Sequence, residues 1–122
     1  MKIAQDAGAA GNRFTGYGAG YVEVNRVRHA HSLVVGGEEL LLDWPAASVQ
    51  LLNADHIAAL VALAPEIVLL GTGATFAFPE PALLAPLYQA GVGVEVMDTP
   101  AACRTFNILL AEGRNVIAAL IV

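Results

Sequence analysis

Glu66-Ile67-Val68-Leu69-Leu70-Gly71-Thr72-Gly73 is the stretch on which the fold turns. Pro65 stops a helix just before it, and four apolar residues then run into a glycine-rich loop. A short continuous apolar run bounded by turn residues reads as a strand covered on both faces. Two further runs of this kind follow, Val92 to Met97 and Val116 to Val122. The segments between them carry helical spacing. Leu83 to Ala90 pairs Leu83 with Leu87 and Leu84 with Tyr88, with Pro86 in the first turn or kinking it and Gly91 as the stop. A last helix starts at Thr99 as cap with Pro100 in the favoured first position, presents Ala102, Phe106, Leu109 and Leu110, and ends at Gly113. Strand–helix–strand units of this kind predict a parallel pair joined by a right-handed crossover.

Working outward toward the N-terminus, Asn53 or Asp55 caps a helix whose Ile57, Leu60, Val61 and Ala64 fall at i, i+3, i+4 and i+7. Residues 1–52 are rich in Gly and Val and alternate with period two, the mark of strands. Tyr21 to Val24 and Val27 to Val35 flank Asn25-Arg26, a tight hairpin turn that lacks the favoured Gly after Asn. A third strand is expected at Glu39 to Leu42, ending before Asp43-Trp44-Pro45. The expectation is an α/β fold, a three-layer single domain over residues 1–122. Its small mixed sheet has N-terminal antiparallel hairpins followed by parallel βαβ units.

Composition bounds the function. The chain is 57% hydrophobic with a mean hydropathy of +0.61, but 23 of its residues are Ala. That leaves about 38% as larger apolar residues, enough for a domain that buries roughly 65% of its unfolded surface. The longest charge-free stretch is the 14 residues Pro81 to Val94, broken by Pro86, Gly91 and Gly93, whereas a membrane helix needs about 20 apolar residues. Six Lys and Arg against 11 Asp and Glu give a net charge of −5 with no basic run. This argues against nucleic acid and against an electrostatic membrane anchor as partners. A single cysteine, Cys103, forms no internal disulfide, and Asp6, Asn12 and Arg13 interrupt any signal peptide begun by Lys2. The chain reads as cytoplasmic.

Catalytic motifs are sparse. Neither Ser32 nor Ser48 lies in a nucleophile elbow. Cys103, although near a helix start beside Arg104, reads as a small core residue. His29 and His31 share a strand face without a third ligand at metal spacing, so no metal is expected. Gly16-Tyr17-Gly18-Ala19-Gly20 precedes a strand rather than a helix, and Gly71-Thr72-Gly73 is followed by neither a third glycine nor a phosphate-binding lysine. No cofactor is expected. One constellation stands out. Gly71, Thr72 and Gly73 leave the carboxyl end of one strand, and Asp98 and Thr99 leave the carboxyl end of the next, where open α/β sheets bind ligands. Arg104, Thr105 and Asn107 follow in the adjoining helix. Together these eight residues form a candidate small-molecule or anion pocket; the bland reading is that the glycines turn the chain, Thr99 caps and Arg104 pairs with an acid.

At these residues a resemblance enters. Met97-Asp98-Thr99, Ala102-Cys103-Arg104-Thr105-Phe106-Asn107 and Glu112-Gly113-Arg114 resemble the family of mitochondrial complex I assembly factor 3 and its uncharacterised bacterial and archaeal single-domain relatives. Pro65 to Gly73, Ser32 to Val35 and Trp44 fall where that pattern expects them. Phe106 stands where Tyr is usual, and Arg26 replaces the usual turn Gly. The resemblance implies a three-layer α/β fold and a role as a protein-interaction or assembly module whose partner is another protein or a second copy of the chain. It supplies no catalytic residue, and the sequence leans against an enzyme.

Overall fold

A computed structural model describes residues 11–122; Lys2 and Asp6, used above to argue against a signal peptide, lie outside the described residues. Three strands open the chain: β1 (Phe14–Gly18), β2 (Tyr21–Val24) and β3 (Val27–His29) form one antiparallel sheet in that order. The second sheet contains β4 (Leu33–Gly36), β5 (Leu40–Leu41), β6 (Ile67–Gly71), β7 (Gly93–Met97) and β8 (Val116–Leu120), arranged β5-β4-β8-β6-β7. Here β6 pairs in parallel with both β7 and β8, and β4 pairs antiparallel with β8. Helices α1 (Ala54–Val61), α2 (Ala85–Gln89) and α3 (Thr99–Ala111) complete the fold.

Alternation along the central strands creates two cores. In β8, Ile117 and Ala119 join Val68 and Leu70 of β6 on the face covered by Ile57 and Leu60 of α1 and Leu87 of α2. Val116, Ala118 and Leu120 join Leu69 on the opposite face, against Ala102, Cys103 and Phe106 of α3 and Phe14, Val22 and Val24 of the small sheet. The mixed α/β fold in three layers is therefore as the sequence implies. Phe14 and Phe106 meet edge to face at 5.2 Å between ring centroids, and the Asn107 side-chain amide clamps the β1 backbone by accepting from the Phe14 N–H and donating to its carbonyl.

Four details differ from the sequence reading. The run Val27 to Val35 is two strands in different sheets, broken at residues 30–32, because β3 closes the hairpin while β4 must reach β8. The strand at Val92 to Met97 is an edge strand with half-exposed residues, since β6 is its sole neighbour in the sheet order. The strand expected at Glu39 to Leu42 pairs only over Leu40–Leu41, leaving Leu40, Leu41 and Leu42 exposed. Finally, the run Val116 to Val122 is a strand only over Val116–Leu120, which lies in the middle of its sheet and is buried throughout.

Helix ends follow the sequence closely. Asn53 and His56 cap α1 reciprocally. Gly91 and Gly113 take the left-handed conformation just past α2 and α3, where the Val92 and Arg114 N–H groups bond back to the carbonyls of Leu87 and Leu109.

Candidate functional site

The carboxyl ends of β6, β7 and β8 open at the same edge of the sheet, because all three run parallel. Chain direction reverses there: β6 leads through α2 to β7 on one side, and β7 returns through α3 to β8 on the other. Such a switch point leaves a crevice beyond the strand ends.

The two loops expected to converge do so, with Thr99 as the junction. Its hydroxyl donates to the Ile121 carbonyl at 2.7 Å and accepts from the Gly73 N–H at 2.9 Å, while its own N–H donates to the Gly73 carbonyl at 2.9 Å. Gly71 is bare for a packing reason: a Cβ there would lie 2.8 Å from the Thr99 Oγ1 and 3.1 Å from its Cα. Asp98, rather than Thr99, caps α3, accepting from the Ala101 N–H at 2.8 Å. Thr72 turns inward, donating from its hydroxyl to the Thr75 carbonyl and accepting from the Ala77 N–H, which orders the loop after β6.

The remaining candidates separate. Asn107 is engaged with Phe14, and Thr105 is half-buried on the same helix. Arg104 is exposed and turns to the small sheet, donating from Nη1 to the Tyr17 hydroxyl at 2.8 Å. That bond, with Asp98 adding a smaller attraction, raises its pKa above the usual guanidinium value. Among the described residues the ion pair formed is Arg114 with Glu66 at 2.8 Å, at the opposite end of β6, where the Arg114 hydrogen bond lowers the Glu66 pKa. Burial pushes the Cys103 thiol up to about 12, against an opposing pull from Arg104, so it is held as a neutral core thiol. Partial burial lowers the His29 pKa. Among the described residues no cluster of three or more His, Cys, Asp or Glu side chains is arranged to hold a metal.

A cavity of about 170 Å³ lies at the crevice. Gly73 and Thr99 form part of its wall, together with Tyr17, Tyr21, Ile121 and Val122. The last four were missed by sequence reasoning. The visible signal was Gly16-Tyr17-Gly18-Ala19-Gly20, set aside as a nucleotide motif because it precedes a strand. It forms β1 and the turn that brings Tyr17 and Tyr21 over the crevice, with Gly18 and Tyr21 paired across the hairpin.

This is a three-layer α/β domain whose switch-point crevice is roofed by a separate antiparallel sheet. The chain belongs to the family described as protein of unknown function (DUF498/DUF598), which matches residues 14–121. It is 41% identical over 83 residues to the bovine (Bos taurus) NADH dehydrogenase [ubiquinone] 1 alpha subcomplex assembly factor 3, covering 66% of this chain and 45% of that protein. The chain thus spans less than half the length of that curated relative. It is also 30% identical over 104 residues to a Francisella tularensis protein named 13 kDa major membrane protein, covering 84% of this chain and 85% of that one. A crystal structure of a Bordetella parapertussis protein superposes with a TM-score of 0.86 at 44% identity, covering 93% of this chain and 97% of that chain. No helix among the described residues is long and apolar enough to cross a membrane.

Proposed function

We propose that the chain is a non-enzymatic protein-interaction module that supports assembly of a larger complex in the cytoplasm. The observation that carries this reading is the 41% identity to complex I assembly factor 3 over 83 residues, 66% of this chain. Surface character supports it. Leu40, Leu41 and Leu42 are exposed at one sheet edge, and Phe76 and Phe78, packed edge to face, protrude from the loop after β6 with Phe78 79% exposed. Apolar surface of this kind suits contact with another protein better than free solvation. The cytoplasmic assignment rests on the single cysteine, which forms no internal disulfide, and the acid excess disfavours nucleic acid as partner.

The test is capture of the tagged chain from its native host after mild cross-linking, with the membrane and soluble fractions analysed separately. A stoichiometric heteromeric partner in the soluble fraction is the expected result. Recovery of the chain alone or only as a homo-oligomer would overturn the assembly reading.

A second reading, a small-molecule or anion site at the Gly71–Gly73 and Asp98–Thr99 loops, is favoured by the cavity against Gly73 and Thr99. Phosphates, nucleotides and carboxylates screened by thermal shift should then include a stabilising ligand whose effect disappears in Arg104→Ala. A panel without any stabilising member would remove this alternative.

A further inference from the structure

Charge is divided sharply along the chain. Residues 13–29 carry Arg13, Arg26 and Arg28 against Glu23 alone, whereas residues 30–122 carry nine acids against Arg104 and Arg114. Arg114 is paired with Glu66, but neither Arg28 nor Arg104 has a carboxylate within ion-pair distance among the described residues. Both instead hold a tyrosine of the cavity wall. The Arg28 guanidinium carbon sits 3.8 Å from the Tyr21 ring centroid, and Arg104 hydrogen-bonds the Tyr17 hydroxyl. Gly18 completes the cradle: a Cβ there would come within 2.5 Å of the Tyr21 ring, so only glycine lets that ring lie across the end of β1.

We propose that the cavity between Tyr17 and Tyr21 is the docking point for an acidic segment of a partner protein, which seats one apolar side chain there and sets its carboxylates against Arg28 and Arg104. The inference rests on the interaction-module reading and names the partner's chemistry. Charge complementarity selects the occupant: among the described residues Arg13, Arg26, Arg28 and Arg104 all lack an ion pair and attract carboxylates, and of these Arg28 and Arg104 are the two held against tyrosines of the cavity wall. Size selects a side chain over a metabolite. At about 170 Å³ the cavity falls below the roughly 300–1,000 Å³ usual for small-molecule sites. Nucleic acid and anionic lipid would meet the same arginines, but both present extended negative charge to a chain whose net charge is −5.

The experiment titrates the full chain, followed by amide NMR shifts, with the blocked peptide Asp-Glu-Phe-Glu-Asp. Its neutral counterpart Asn-Gln-Phe-Gln-Asn, the Phe-to-Ala acidic peptide and phosphatidylglycerol vesicles are run alongside. Saturable shifts are expected at Tyr17 to Tyr21, Gly73, Ala74 and Val122. Binding should weaken about tenfold for the neutral peptide and about tenfold per arginine in Arg28→Gln and Arg104→Gln, and the cavity shifts should vanish without the Phe. Both substitutions are at exposed positions, and an unchanged melting temperature verifies the fold of each variant. Absence of saturable shifts, equal binding of the neutral peptide, or vesicle binding that the arginine variants abolish would each overturn the proposal. If the host partner is captured equally by wild type and the Arg28→Gln/Arg104→Gln double variant, this site falls while the interaction module stands. If wild type captures no partner, the module itself falls.

Discussion

Replacing Thr99 by Val tests the junction that holds the crevice together. The side chain keeps its shape and burial but loses one hydroxyl that serves two backbone groups. The Ile121 carbonyl, in a residue only 4% exposed, loses its 2.7 Å donor, and the Gly73 N–H loses its acceptor at 2.9 Å. A buried acceptor left without a partner costs about 1–3 kcal/mol, and loss of an ordinary hydrogen bond at a half-exposed N–H about 0.5–1.5 kcal/mol. The expected destabilisation is therefore about 1.5–4.5 kcal/mol. With an unfolding entropy of about 0.25 kcal/mol/K for a chain of this length, that lowers the melting temperature by about 6–18 °C. Urea denaturation and calorimetry of wild type, Thr99→Val and Thr99→Ser provide the assay, the serine variant keeping the hydroxyl and losing only a methyl. Thr99→Ser should be markedly more stable than Thr99→Val, and exchange of the Gly73 amide should accelerate in the valine variant alone. If Thr99→Val lies within about 0.5 kcal/mol of wild type, or if serine is no better than valine, the hydroxyl does not bridge the loops and the derivation fails.

Arg26→Gly should stabilise the fold by about 0.5 kcal/mol in urea titrations, because Arg26 sits at φ 71° in the hairpin turn and the relief of strain exceeds the added chain entropy. Cys103 should resist iodoacetamide at neutral pH in the folded chain and react only on unfolding, as followed by mass spectrometry, since burial holds it as a neutral thiol with a pKa of about 12. Asn107→Ala should cost about 1–3 kcal/mol by releasing the Phe14 N–H and carbonyl, with the loss of protection in hydrogen exchange concentrated in β1. Gly113→Val should lower stability by about 1–2 kcal/mol through backbone strain at φ 82° alone, since a Cβ there meets nothing within 4 Å; an unchanged melting temperature would place the end of α3 elsewhere.

The fold was legible where one residue type has one cheap place to go. Val68, Leu69 and Leu70 are buried on alternate faces, and an uninterrupted apolar run admits little except a strand between two layers. Gly91 and Gly113 announce helix ends because their backbone is left-handed. What the sequence concealed depends on contacts between distant residues. Val27 to Val35 reads as one strand because period-two alternation records which side faces a core, not which sheet supplies the neighbour; the switch at residues 30–32 is set by β8, more than 80 residues away. The cap of α3 was misplaced by one residue for a related reason. Asp98 and Thr99 are both good caps by type, and only the nearby Gly73 and Ile121 groups, from two other strand ends, draw the Thr99 hydroxyl away from its own helix. The site was half legible by the same logic. Gly73 and Thr99 follow from the rule that α/β crevices open beyond strand ends, whereas Tyr17 and Tyr21 reach the crevice only because the small sheet packs on α3 through Phe14 and Phe106. Arg104 shows the consequence most clearly: on a helix alone it invites pairing with Asp98, yet the roofing sheet presents the Tyr17 hydroxyl at 2.8 Å, and among the described residues no carboxylate lies within ion-pair distance of the guanidinium. That guanidinium, whose position against the roofing sheet is invisible in the linear sequence, is the feature on which the proposed preference for acidic partners rests.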